Sequence, residues 1–142
     1  MSKDLKIATI LPYKENYTFN KAQAAAIWVC DFYKFSKFKN QNYIFGNTKG
    51  KDYLTKNYIN INISNLKSKF SSSTNEYCKN FIKKTQNINF DIIEIHNRPL
   101  VFNFLKNEIN SKYIMYFHND PLSMNGSKTI NERLKLLDEI DK

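Results

Sequence analysis

Two segments of this chain share one grammar, and together they restrict its fold more than anything else. Residues 90–99 (FDIIEIHNRP) and 112–121 (KYIMYFHNDP) each run from a β-branched and aromatic stretch into a His-Asn pair, one more polar residue and a proline. The second run has the composition of a strand buried on both faces, and both polar triplets fall where a strand would leave its sheet. In open α/β sheets that end of a strand is where ligands bind. Two strand ends of matching chemistry therefore point to one shared site.

The rest of the chain supplies a frame for that site. Residues 6–11 (KIATIL), closed by Pro12, read as the first strand, and the loop 12–17 carries Lys14 and Glu15. Thr18 or Asn20 is placed to cap a helix with its body at 21–35, whose alanines give a small surface able to lie close on a sheet. Residues 42–46 (NYIFG) are a second strand, and 58–63 (YININI) alternate strictly, as a half-exposed edge strand does. The SSST-containing stretch 66–74 reads as a loop, the one best suited to mobility, and 75–84 as a helix. Pro99 opens a further helix to about Ile109, a strand spans 113–117, and a loop runs through Gly126. Thr129 and Glu132 have capping-box spacing for a last helix to Ile140, with Ile130, Leu134, Leu137 and Ile140 as its buried stripe.

This alternation predicts an α/β domain with an open, mainly parallel sheet of about five strands, right-handed crossovers and helices on both faces. In the strand order 3-2-1-4-5 the loops after strands one, four and five meet at the point where the order reverses. These are residues 12–20, 96–99 and 118–126, which gather the polar residues of interest. The 142 residues, 42% of them hydrophobic, suffice for one domain with a sizeable core. No internal boundary or repeat is evident.

Charge and cysteine content narrow the class. The net charge of +9 comes almost wholly from lysine, with Arg98 and Arg133 the only arginines, in a sequence equally rich in Asn, Ile and Phe. That joint bias spreads lysine over a solvated surface and forms no nucleic-acid stripe, although the lysines could attract anionic lipid head groups. Cys30 and Cys78 lie in helical contexts with no zinc spacing, as buried thiols of a reducing compartment would. No apolar run nears the ~18 residues of a membrane span, and 1–5 lead straight into a strand, so a cytoplasmic location is expected.

The candidate residues each carry two readings. The loop after strand one has no glycine and there is no P-loop, which argues against a dinucleotide or ATP site. His118 is either a structural hydrogen-bonding residue or part of a site with Asn119 and Asp120. His96 could simply donate to a loop carbonyl. Glu94 is a buried acid if its strand is interior and an exposed one at an edge. Arg98 could grip a carboxylate or phosphate bidentately, or form a surface ion pair. Glu15 could orient a sugar hydroxyl or interact with the positive end of the helix that follows it. A metal site from His96, His118, Asp120 and Glu15 fits in ligand type but lacks a diagnostic spacing. A Cys30–His118 dyad is disfavoured because Cys30 falls on the apolar side of its helix.

Taken in order, ILPYKENYTFN, the Ala-rich helix with AIWVCDF, DIIEIHNRP and YIMYFHNDP resemble the N-terminal domain of a family 4 glycosyltransferase of the GT-B fold, over essentially the whole chain. The resemblance implies one Rossmann-like half of a two-domain, retaining enzyme. Such an enzyme moves a sugar from a nucleotide-sugar donor to a glycan or lipid-linked acceptor, as in cell-surface polysaccharide synthesis. It implies that the N-terminal half binds acceptor, while a C-terminal half, absent from residues 1–142, binds donor. His118 then takes the place of a family histidine facing the donor sugar, with Glu15, Asn16, Lys21, His96, Arg98, Asn119 and Asp120 as substrate contacts, and no metal or cofactor. Many relatives have glycines leading into the first helix where this chain has Asn20, Lys21, Ala22 and Gln23, so Lys21 or Gln23 would supply side-chain contacts instead. Alone, the domain is expected to be inactive. It would sit in the cytoplasm, at the inner membrane face where the acceptor is lipid-linked. The competing readings are a stand-alone α/β binding module without catalysis and a nucleic-acid binder.

Overall fold

The chain alternates β1 (Ile7–Ile10), α1 (Ala24–Phe35), β2 (Asn42–Gly46), β3 (Tyr58–Asn60), α2 (Ser73–Thr85), β4 (Ile92–His96), α3 (Pro99–Leu105), β5 (Lys112–Tyr116) and α4 (Ile130–Ile140). A computed structural model describes residues 4–64 and 72–140. Every strand pair is parallel, and the sheet order is β3-β2-β1-β4-β5, as the alternation predicts. The fold is Rossmann-like.

Period-two alternation divides the strand side chains between two layers. Ala8, Ile10, Phe45, Ile93 and Ile95 join Tyr77, Phe81, Phe102 and Leu105 of α2 and α3 in the larger core. Leu11 and Ile44 meet Ala26, Val29 and Cys30 of α1 on the other side. Ala25 and Ala26 let α1 lie close to the sheet, and the edge-on rings of Phe45 and Phe81, 4.9 Å apart, lock α2 to β2. Glu94 resolves as the buried acid, because β4 is interior. Thr9 Oγ1 donates to it at 2.7 Å, and burial raises its pKa against that bond.

Several boundaries differ from expectation. α1 starts at Ala24, not Lys21, and neither Thr18 nor Asn20 caps it: the Thr18 carbonyl accepts from Lys21 and Ala22 in a turn. β3 stops at Asn60 because its partner β2 ends at Gly46, whose carbonyl takes the Ile61 N–H as the last rung. α3 stops at Leu105, where Tyr113 Oη donates to the carbonyls of Leu105 and Ile109. The expected 66–74 loop lies outside the described residues from 66 to 71, while Ser72 caps α2 and Ser73 and Thr74 are helical.

Two expected burials fail for one reason. β5 is the edge strand, so Lys112 and Ile114 are exposed and it is not covered on both faces. α4 packs outside this edge through Leu136 and Ile140, and Arg133 Nη1 fixes its start by donating to the carbonyls of Ser127 and Lys128. The stripe meant to be buried therefore turns outward, with Ile130, Leu134 and Leu137 exposed by 68%, 60% and 60%. The capping box is present: Thr129 N–H donates to Glu132 Oε2 and Glu132 N–H to Thr129 Oγ1. Among the described residues no helix is long and apolar enough to cross a membrane.

Candidate functional site

The loops after β1, β4 and β5 enclose a cleft of ≈ 490 Å³ at the carboxyl ends of the strands. Each wall is held by hydrogen bonds the sequence supplies. Tyr77 Oη donates to the Leu11 carbonyl at 2.9 Å, Asn47 Nδ2 to the Tyr13 carbonyl at 2.9 Å, and Tyr17 N–H to Thr48 Oγ1 at 2.9 Å. The first loop thus takes its shape from α2 and from the segment after β2.

Glu15, Arg98 and Asn119 line the cleft together with Tyr13, Lys14, Gln23, Asn125 and Lys128. Glu15 Oε2 accepts from the Ala26 N–H at 2.9 Å, so a residue well before the helix satisfies one of the donors that Gln23, the N-cap, leaves open. Burial raises the Glu15 pKa, and the Ala26 bond and the Arg98 charge partly oppose that rise. The Arg98 guanidinium lies over the Tyr13 ring at 5.1 Å. Its Nε is buried without a hydrogen-bond partner, and Arg98 forms no ion pair among the described residues. A half-buried guanidinium without an ion-pair partner in a concave site is a ready donor to an anion.

The remaining expected contacts lie outside the cleft lining. Asn16 Oδ1 accepts from the Lys49 N–H at 3.0 Å and braces the first loop. Lys21 is exposed in the turn before α1. Asp120 Oδ1 accepts from the Leu122 N–H at 2.9 Å and caps a 3-10 turn at Pro121–Ser123.

His96 and His118 pair with each other, Nδ1 to Nε2 at 2.7 Å, beneath the Trp28 ring of α1. His96 is fully buried and its Nε2 has no partner. A proton there would be an orphaned donor, whereas on Nδ1 it is used; His96 therefore carries Nδ1–H and donates to His118 Nε2. That leaves His118 with its proton on Nδ1. Burial, reinforced by His118, lowers the His96 pKa to about 3, and burial lowers that of His118.

Two residues that shape the cleft were missed in the sequence. Asn97 has φ 55°, and its Oδ1 accepts from the N–H groups of His118 at 2.7 Å and Asn119 at 3.3 Å, joining the two strand ends. Its signal was the repeated His-Asn pair, which reads equally as a surface polar pair. Gly126 has φ 93°, and a Cβ there would lie 3.0 Å from Pro99 Cβ and 3.1 Å from Leu100 Cδ2. Only glycine lets the β5 loop close on the start of α3. Gly126→Ala is expected to cost about 1–2 kcal/mol, read as a lower urea midpoint at unchanged slope.

Cys30 lies under α1 among Leu11, Tyr17 and Ile44, so its thiol belongs to that layer and not to the cleft. Among the described residues no three His, Cys, Asp or Glu side chains converge as metal ligands. No family model, curated protein or solved structure matches the chain.

Proposed function

We propose that this domain is the acceptor-side half of a retaining glycosyltransferase, which moves a sugar from a nucleotide-sugar donor to a glycan or lipid-linked acceptor in cell-surface polysaccharide synthesis. The observation that carries the reading is the cleft at the strand-order reversal, lined by the carboxylate of Glu15, the amides of Gln23, Asn119 and Asn125 and the hydroxyl of Ser123. Polyhydroxylated ligands are recognised by such converging short polar groups, and the glycine-free first loop offers no cradle for a pyrophosphate. The motif resemblance over the whole chain adds the reaction class.

In this reading Glu15, fixed by the Ala26 N–H, accepts from an acceptor hydroxyl. Asn119 and Asn125 take further hydroxyls. His118, polarised by the Nδ1–H of His96 beneath Trp28, lies beside the cleft and outside its lining, and in this reading its own Nδ1–H is left for the donor sugar. Donor binding and transfer belong, in this reading, to a second domain facing the cleft. Trp28, Phe32 and Phe35 are exposed on α1 around the Lys34–Asp31 ion pair, an apolar patch that suits peripheral contact with a membrane carrying a lipid-linked acceptor.

Isothermal titration with a panel of short oligosaccharides and with nucleotide sugars tests the assignment. At least one oligosaccharide is expected to bind, and Glu15→Ala to weaken it about tenfold, the loss of a hydrogen bond to a charged group. Binding of nucleotide sugars alone, with no oligosaccharide bound, would contradict the assignment. The reading as a non-catalytic binding module has one observation in its favour, the outward apolar stripe of α4. It predicts capture of a protein partner through Ile130, Leu134 and Leu137 instead.

A further inference from the structure

We infer that the ligand of this cleft carries an oxyanion, a carboxylate or phosphate on the acceptor glycan, and that Arg98 is the residue that grips it; the inference rests on the cleft being the acceptor site. Three features of the cleft agree. Its charged lining is three cations, Lys14, Arg98 and Lys128, against the single carboxylate of Glu15. Glu15 is engaged by the Ala26 N–H, and its charge, which the Arg98 charge stabilises, offsets only one of the three cations. The lining therefore keeps an excess of positive charge.

The second feature is the state of Arg98 itself. Its guanidinium carbon lies 5.1 Å from the centre of the Tyr13 ring, with Nε buried and unpartnered. Leaving a desolvated donor without an acceptor is costly, and the Tyr13 ring offers the cation a π face but no hydrogen-bond acceptor. A carboxylate or phosphate in the cleft can take two N–H bonds from the terminal nitrogens, which are not sealed off as Nε is. The third feature is the helix behind it. Gln23, the N-cap of the 12-residue helix α1, lines the same cleft, its side chain makes no capping bond, and the first turn of α1 holds no acidic residue. The Glu15 carboxylate answers one of the open donors at that positive end, and the others add to the field of the three cations.

The test compares glucuronate-containing, phosphorylated and neutral oligosaccharides of equal length by isothermal titration, with inorganic phosphate as a separate probe. At least one anionic class is expected to bind about tenfold or more tightly than the neutral one, with affinity falling as salt rises. Which class wins distinguishes carboxylate from phosphate. Arg98→Ala should remove this preference and leave weak neutral binding, and Arg98→Lys should restore part of it, since charge returns without the planar fork. Far-ultraviolet circular dichroism and the urea midpoint of both variants report whether the fold is kept. Equal affinity for neutral and anionic glycans, or a preference that survives Arg98→Ala, overturns the inference while leaving the acceptor site standing. Failure of every glycan to bind, with or without phosphate binding, overturns both.

Discussion

Acidification from pH 7 to pH 5 is expected to destabilise the protein by about 2 kcal/mol through His96 alone, and by about 3 kcal/mol at pH 4. His96 is fully buried, and its pKa falls from 6.5 to about 3 in the fold. The unfolded chain takes up a proton below 6.5 that the folded chain refuses. The contribution is thus complete above pH 6.5 and is lost as pH falls from 6.5 toward about 3. His118, shifted down as well, acts in the same direction. Glu15 and Glu94 oppose it: burial raises their pKa, so acid relieves a cost that they carry when ionised. The contribution of His96 is therefore read as a difference between proteins. In His96→Asn the amide can still donate to His118 and cannot titrate. Urea unfolding at pH 7 and pH 5 should show the acid loss smaller in this variant by about 2 kcal/mol. Equal losses in the two proteins would mean that His96 titrates near its ordinary value.

Asn97→Ala is expected to cost about 3 kcal/mol, the sum of a left-handed conformation that alanine disfavours and the acceptor lost to two backbone donors. Asn97 is buried, sits at φ 55° and ties His118 and Asn119 to the end of β4. The two contributions can be separated. Asn97→Gly keeps the backbone conformation and loses only the acceptor, so it should cost roughly half as much. Asn97→Asp keeps the acceptor and should lie nearest the wild type. The same series should weaken glycan binding in the same order, because the β5 wall of the cleft hangs on this side chain. An alanine variant as stable as the aspartate variant would remove Asn97 from that role.

What the sequence made legible follows from how local each signal is. The capping box of Thr129 and Glu132 is closed within four residues, and it forms as read. The strand order follows from alternation and crossover handedness, and it brings Glu15, Arg98 and Asn119 to one cleft. The start of α1 was misplaced because its donor is met by Glu15 across the loop, which no helical period reveals. The α4 stripe was misread because an apolar period shows that a helix has an apolar face, without showing what covers it. β5 was misread in the same way, since an aromatic-rich run fits an edge strand half covered by Trp28 as well as an interior one. Asn97 and Gly126 depend on positive φ, and that is a property of the closed loops, not of residue type.

The most direct test of the central claim is a backbone amide chemical-shift map of the isotopically labelled chain titrated with the oligosaccharide that binds most tightly. The predicted result is a set of shifts confined to the three loops, at Tyr13, Lys14 and Glu15, at Asn97, Arg98 and Leu100, and at Asn119, Asn125 and Lys128. Shifts concentrated on α4 around Ile130, Leu134 and Leu137, with the three loops silent at saturation, would contradict it.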